Sequence, residues 1–106
     1  MTAEERLKKL QEMEAQKSGD AFLNYAIALE YVNAGNDTEA QTIFESLLQK
    51  NSDYIATYYQ FGKLLERNGE NEKAITVYKQ GIEIAKQIND KKNLGELNEA
   101  LMMLEE

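Results

Sequence analysis

The sequence lacks the residue types on which many small enzymes and metal proteins depend. There is no cysteine and no histidine among its 106 residues. Without cysteine it has no disulfide, thiolate ligand or thiol nucleophile, and without histidine it has neither the usual general base nor the commonest metal ligand. A glycine-rich phosphate loop is missing too, because Gly69 and Gly95 stand alone. We therefore predict no enzymatic activity, no metal and no cofactor.

Turn-forming residues and long apolar runs are also scarce. Proline is absent and there are six glycines, fewer than a β-rich fold of this length would need, so helices are favoured. No run of about 18 apolar residues predicts a membrane span, and the N-terminus lacks the apolar run of a signal peptide. We expect a cytoplasmic protein without membrane contact. The 42% of hydrophobic residues suffices for the core of one domain over residues 1–106.

Basic residues are outnumbered, and the formal net charge is −7. The imbalance is greatest in residues 18–53, where one base and six acids give a net charge of −5. Such a chain repels phosphate backbones, so we predict no nucleic-acid partner. The acidic segment either keeps the protein in solution or attracts a basic partner, and composition leaves both interpretations open.

The chain repeats itself at an offset of 34 residues, which aligns 21–54 with 55–88. Each copy places large, small and large apolar residues in order, then glycine, alanine and an aromatic residue. This pattern predicts two helices joined by a short turn. Gly35 and Gly69 would end the first helix of each copy, and Asp37 and Asn71 would cap the second. Gly62, in mid-helix, is tolerable where a neighbouring helix comes close.

These features resemble the tetratricopeptide repeat (TPR) family. The second copy carries most of the signature, with Tyr58 in place of the family's leading tryptophan, followed by Phe61, Gly62, Leu65, Gly69, Ala74 and Tyr78. The first copy has Asn24 at the leading position, so Leu23 or Tyr25 would take over its packing. Both copies lack the closing proline, and Ser52–Asp53 is expected to stop one helix and cap the next. The resemblance implies an all-α, right-handed α-solenoid of antiparallel helix pairs.

Helices are also expected on both sides of the repeats, because one repeat cannot bury its own faces. Thr2 and Glu5 have the spacing of a capping box, and leucines recur at helical spacing after Asp90. The expected segments are an N-terminal capping helix (1–18), two repeats (21–54 and 55–88) and a C-terminal capping helix (90–106). The predicted helices are 3–16, 21–34, 38–50, 54–68, 72–89 and 91–104. This arrangement resembles small bacterial TPR proteins.

In the family, the first helix of each repeat lines a concave groove, which implies a protein partner bound there as a peptide or helix. The expected groove positions are Phe22, Tyr25, Leu29, Val32 and Asn33 in the first repeat, Ala56, Tyr59, Lys63, Glu66 and Arg67 in the second, and Lys92, Gly95, Glu99, Met102 and Met103 in the C-terminal helix. Among these, the residues predicted to bind the partner are Tyr25, Leu29, Tyr59, Lys63 and Arg67. Lys63 and Arg67 are four residues apart and could clasp an acidic peptide or a terminal carboxylate.

Other interpretations of these residues remain open. The two tyrosines could pack on neighbouring helices, the two bases could be solvated beside Glu66 and Glu70, and the N-terminal helix could cover the apolar groove positions. The family's clamp for chaperone tails is not expected, because Tyr25, Leu29 and Gln60 stand near its positions. Self-association through the C-terminal leucines and methionines is an alternative function, and small-molecule binding a remote one. The sequence identifies no specific partner.

Overall fold

The computed structural model describes residues 1–106, which form six α-helices and no strand. The helices are α1 (Ala3–Gln16), α2 (Ala21–Asn33), α3 (Asp37–Lys50), α4 (Ala56–Arg67), α5 (Asn71–Gln87) and α6 (Lys91–Glu105). The predicted all-α class and the number of helices are confirmed. None of the six helices is both long and apolar enough to span a bilayer.

The chain forms two compact units, the first from Met1 to Asn51 and the second from Ser52 to Glu106. In the first unit α2 packs against both α1 and α3. In the second unit α5 packs against both α4 and α6, and α4 also touches α6. Short turns at residues 34–36 and 68–70 join helices within a unit, so that consecutive helices are antiparallel neighbours.

Glycine ends the first helix of each repeat, as predicted. Gly35 and Gly69 have φ angles of 81° and 77°, in the left-handed region that glycine adopts without a steric penalty. In each case the glycine and the residue after it donate their backbone N–H groups back to the last turn of the helix, as in Asn36 N to Tyr31 O at 2.9 Å. This double return is a Schellman motif. Asn89, with φ 59°, ends α5 in the same way.

Side chains cap the N-termini of three helices, and the capping box predicted for α1 is confirmed. Thr2 and Glu5 form the capping box of α1. Asp20 accepts a hydrogen bond from Leu23 N at 2.9 Å, and Asp90 accepts one from Asn93 N at 3.0 Å. Each carboxylate thereby satisfies a backbone N–H that has no partner within the helix.

The other three N-terminal caps were predicted at the wrong residues. Asp37 and Asn71 are the first residues of α3 and α5, and the cap positions belong to Asn36 and Glu70, whose side chains make no capping hydrogen bond. Asn36 and Glu70 also donate the last backbone hydrogen bonds of the two Schellman motifs. The next helix therefore begins directly after the motif, with no linking residue in between. Asp53 does not cap α4, which begins only at Ala56 after a backbone turn.

The second unit is held together by two tyrosine–glycine contacts between α4 and α5. Tyr78 on α5 lies against Gly62 on α4, and Tyr58 on α4 lies against Gly81 on α5. A Cβ atom at Gly81 would stand 2.6 Å from Tyr58 Cβ. Both tyrosines are buried, and the Tyr58 hydroxyl donates to Ser52 O at 2.6 Å. The expectation that Gly62 permits a close helix approach is confirmed.

At one of these contacts the first unit has the smaller residue on its first repeat helix and the larger residue on its second, the reverse of the second unit. Asn24 and Leu47 stand where the second unit has Tyr58 and Gly81. Both line a cavity of about 310 Å³ bounded by α2, α3 and the end of α1. The Asn24 amide donates to Asp20 O at 2.9 Å and to Glu14 Oε2 at 3.3 Å. Of the two residues expected to replace the aromatic ring, Leu23 is the one that is buried.

Polar contacts join the N-terminal helix α1 to α2, and none of the residues of α1 is fully buried. Arg6 Nε pairs with Glu30 Oε1 on α2 at 2.9 Å, and Gln11 donates to the Tyr31 hydroxyl at 3.2 Å. The other carboxylate oxygen of Glu30 is buried without a hydrogen-bond partner. Helix α1 is therefore less firmly packed than α5, which contributes six buried residues.

Candidate partner-binding surface

A small cleft lies between α4 and α6 in the second unit, and we call it the α4–α6 cleft. Its volume is about 90 Å³, and it is lined by Tyr59, Lys63, Glu96, Glu99, Ala100 and Met103. Tyr59 and Lys63 are four positions apart on α4, and Glu96, Ala100 and Met103 are separated by three, four or seven positions on α6, so each set shares one face. Glu99 lies beside Ala100 at the edge of that face. The predicted residues Tyr59 and Lys63 are brought together here, with Glu99 and Met103 from the C-terminal helix.

Lys63 is held against the tyrosine by interactions within α4. Its ammonium group lies 5.4 Å from the centroid of the Tyr59 ring, at the distance of a cation–π contact. The same nitrogen lies 3.7 Å from Glu66 Oε2, one turn further along the helix. Lys63 thus already has an anionic partner before any ligand arrives.

Glu66 is in turn held by the core. The buried Tyr78 hydroxyl donates a hydrogen bond to Glu66 Oε2. Burial raises the pKa of Tyr78 well above its ordinary value, and the hydrogen bond and negative charge of Glu66 raise it further. Tyr78 therefore remains a neutral donor near neutral pH. A chain of contacts runs from Tyr78 through Glu66 and Lys63 to Tyr59 at the surface.

The side of the cleft formed by α6 is acidic. Glu96 and Glu99 are both exposed, and neither lies within ion-pair distance of a basic side chain. Ala100 and Met103 supply apolar lining of the cleft, and Met103 is 65% exposed. The cleft therefore combines an aromatic ring, an apolar floor and an excess of negative charge.

The remaining predicted residues lie outside this cleft. Arg67 is exposed, one turn beyond Lys63 on α4. Tyr25 and Leu29 belong to α2 of the first unit, and both are half-buried. The nearby Phe22 is 62% exposed, so α1 does not cover it. Phe22 instead lines a separate cleft of about 280 Å³ with Met13 of α1.

Sequence reasoning missed Glu96 and Ala100, and it placed Lys92, Gly95 and Met102 on the face that Glu96 and Ala100 share with Glu99. The expected stripe of α6 was made of leucines, but Leu94, Leu101 and Leu104 are only half-buried, whereas Leu97 and Ala100 are buried. The buried edge of the helix is therefore centred between Leu97 and Ala100. Giving the small residue Ala100 the same weight as the leucines would have found the correct face.

Comparisons with known proteins place these features in a family. The tetratricopeptide repeat profile matches residues 55–88. A tetratricopeptide repeat domain protein from Salinibacter ruber, solved by NMR, is 40% identical with a TM-score of 0.80, over 82% of this chain and 88% of that one. The crystal structure from the same organism is 41% identical with a TM-score of 0.77, over 81% and 96% of the chains.

A more distant similarity concerns the fold alone. The solution structure of a protein from Bordetella parapertussis is 21% identical with a TM-score of 0.79, over 92% of this chain and 85% of that one. No curated protein matches the sequence significantly. The repeat profile and the two Salinibacter ruber structures agree with the motifs found in the sequence, and the chain therefore belongs to the tetratricopeptide repeat family.

Proposed function

We propose that this chain is a non-catalytic protein-interaction module that binds a peptide or a helix of a partner protein. Membership of the tetratricopeptide repeat family supports the general role, because the signature residues of this family build a scaffold and the exposed faces of the helices are left for recognition. The proposed contact residues are Tyr25 and Leu29 on α2, and Tyr59, Lys63 and Arg67 on α4.

The observation that carries the proposal is the α4–α6 cleft. It places the half-buried Tyr59 ring beside the exposed Met103 side chain, with charged groups at the edge. Tyrosine is enriched among residues that dominate binding energies, since it offers a large apolar ring at a small cost in conformational entropy. Methionine adapts its shape to a partner. Tyr59 is also fixed in advance by Lys63, so less order has to be imposed on binding.

The test begins with a partner obtained by cross-linking in the protein's own host and then purified. Its affinity is measured by isothermal titration for the wild type and for a Tyr59→Ala, Lys63→Ala double variant. We expect the double variant to bind at least about tenfold more weakly, the loss of one central anchor. The matched control is Lys86→Ala with Ile88→Ala, which removes one exposed base and one exposed apolar residue at the C-terminal end of α5, outside the residues that line the cleft. An unchanged affinity of the first variant would contradict the assignment of this surface.

Self-association is a second candidate function, favoured by two exposed methionines. Met102 and Met103 are 66% and 65% exposed, and both lie near the C-terminal end of α6. Light scattering over a range of concentrations tests this alternative. A molar mass that stays at 12.1 kDa would eliminate it.

We also propose that residues 1–106 act as one domain made of two repeats with an N-terminal and a C-terminal capping helix. The support is general, because stacked repeats unfold cooperatively when neighbouring repeats stabilise one another. Urea unfolding followed by circular dichroism and by tyrosine fluorescence is expected to give coincident transitions. Two separate transitions would show independent domains instead.

A further inference from the structure

We infer that the α4–α6 cleft selects a cationic segment of its partner, in which an arginine or lysine is followed by an apolar side chain. This inference rests on the proposed function and adds the chemistry of the partner. The basic group would pair with Glu96 and Glu99, and the apolar side chain would lie on Ala100 and Met103. The opposite assignment, an acidic peptide held by Lys63, conflicts with the charges that surround this lysine.

Lys63 is a poor receptor for an anion because Glu66 already pairs with it at 3.7 Å. Glu66 cannot easily turn away, since the buried Tyr78 hydroxyl donates to the same carboxylate oxygen. An incoming carboxylate would meet Glu66, Glu96 and Glu99 around a single base. Like charges at such short range repel even at a solvated surface, so an acidic group is disfavoured.

Glu96 and Glu99, unlike Lys63, are well placed to receive a charged group of the partner, which must be a cation. They are exposed, without ion pairs, and three residues apart on one face of α6. A guanidinium group has several N–H donors in a fixed plane and can satisfy carboxylates that approach it from one side. The aliphatic part of an arginine or lysine side chain would then cover Met103, as such side chains commonly cover apolar surface.

The size of the cleft also limits its occupant. At about 90 Å³ it is far smaller than the roughly 300–1,000 Å³ of sites for drug-sized ligands. It suits one side chain of a longer segment, whose remaining residues extend along the helices. A peptide therefore fits this cleft better than a free small molecule.

The charge of the whole chain points the same way. The formal net charge is −7, and residues 18–53 alone carry −5. This field attracts basic segments and speeds their association, but repels acidic ones and a second copy of the chain. Among partner chemistries, a basic segment is the one favoured both by the local contacts and by the long-range field.

The experiment uses three synthetic helical peptides labelled with a fluorophore. Each has leucines along one face, and the flanking positions carry arginine, glutamine or glutamate. Binding to the full chain is measured by fluorescence anisotropy at low and at physiological salt. The informative variant is Glu96→Gln with Glu99→Gln. Its matched control is Glu72→Gln with Glu83→Gln, which removes the same charge from exposed positions on α5 of the same unit.

We expect the arginine peptide to bind most tightly, with an affinity that falls as salt is added. The Glu96→Gln, Glu99→Gln variant should bind it about threefold to tenfold more weakly, and the control variant within about twofold of the wild type. Equal binding of the glutamine or glutamate peptide would overturn the inference. So would an equal loss in the two variants, or no measurable binding of the arginine peptide.

The inference and the proposed function can fail separately. If Tyr59→Ala weakens binding of the purified natural partner but Glu96→Gln with Glu99→Gln does not, the proposed interaction surface is supported and the inferred preference for a cation is wrong. If neither variant affects the natural partner, the proposed surface itself is wrong. Binding of the arginine peptide that survives Tyr59→Ala and both glutamate substitutions would be non-specific attraction by the acidic chain, and would also overturn the inference.

Discussion

Replacing Gly62 with alanine is expected to destabilise the protein, whereas the same substitution at Gly95 is expected to stabilise it. Both glycines lie inside helices, Gly62 in α4 and Gly95 in α6. A Cβ atom at Gly62 would stand 2.7 Å from Cδ1 of Tyr78 and closer still to two other atoms of that ring. At Gly95 nothing lies within 4 Å. The two sites therefore differ in packing but share the change in helix propensity.

The magnitudes follow from these two effects. Alanine is favoured over glycine in a helix interior by about 0.8–1 kcal/mol, so Gly95→Ala should gain roughly that amount. At Gly62 the same gain is opposed by overpacking, which costs about 1–3 kcal/mol. The cost should lie near the upper end, because Tyr78 is fully buried and its hydroxyl is bound to Glu66. We expect a net loss of about 1–2 kcal/mol, or a melting temperature lower by about 4–8 °C.

Urea unfolding followed by circular dichroism measures both variants directly. The informative quantity is the difference between them, about 2–3 kcal/mol, because the propensity terms cancel. Stabilisation of both variants by a similar amount would refute the close contact between α4 and α5. A shift in the slope of the transition would indicate instead a change in the surface exposed on unfolding.

A double-mutant cycle identifies the atoms responsible. The first unit has Ala28 and Phe44 at the positions of Gly62 and Tyr78, and both are buried. A Tyr78→Phe substitution releases the ring from Glu66, so it should reduce the penalty of Gly62→Ala. We expect a coupling of about 0.5–1 kcal/mol or more between the two substitutions. Simple additivity would mean that the ring is not held by its hydroxyl.

Three further predictions concern other parts of the molecule. Thr57 is buried and its hydroxyl has no hydrogen-bond partner, so Thr57→Val should raise the free energy of unfolding by about 1 kcal/mol in urea titrations, and a loss would imply a hidden partner. Burial raises the pKa of Tyr78, so the stability that its neutral hydroxyl contributes to the fold is fully present below the unfolded pKa of about 10. This stability is lost as the pH rises above that value. Tyr78→Phe should therefore lose less stability than the wild type between about pH 9 and 11. Backbone amides of α1 should exchange hydrogen faster than those of α5, and Arg6→Gln should accelerate α1 further because it removes the pair with Glu30; equal protection of the two helices would contradict this.

The fold followed from the sequence because local signals and packing agree. Gly35 and Gly69 must end helices, since their φ angles are ones that other residues avoid. Asp20 and Asp90 can each satisfy a backbone donor wherever a helix starts after them. The start of α4 was predicted wrongly because aspartate commonly caps helices, whereas the backbone after Asp53 makes one more turn before the helix begins at Ala56. Composition does not reveal such a turn.

The candidate surface was less predictable than the fold. Tyr59 and Lys63 were placed together by helical spacing alone, which fixes neighbours on one helix. Glu96 was missed because its position depends on how α6 rotates against α5, and this rotation is set by the small residue Ala100 as well as by leucines. The sequence also does not reveal that Glu66 is held beside Lys63. The Glu66 carboxylate accepts a hydrogen bond from Tyr78, which belongs to another helix.

The reversed sizes at the two helix pairs have a consequence for folding fidelity. The second unit sets a large ring against glycine, with Tyr58 on Gly81, whereas the first sets Asn24 opposite Leu47 across a cavity. If α4 paired with α3, Tyr58 would meet Leu47, and the ring would have no space. If α2 paired with α5, Asn24 would meet Gly81 and leave a void. The Tyr58–Gly81 contact therefore fits only between α4 and α5, and it favours the pairing of these two helices over the alternatives.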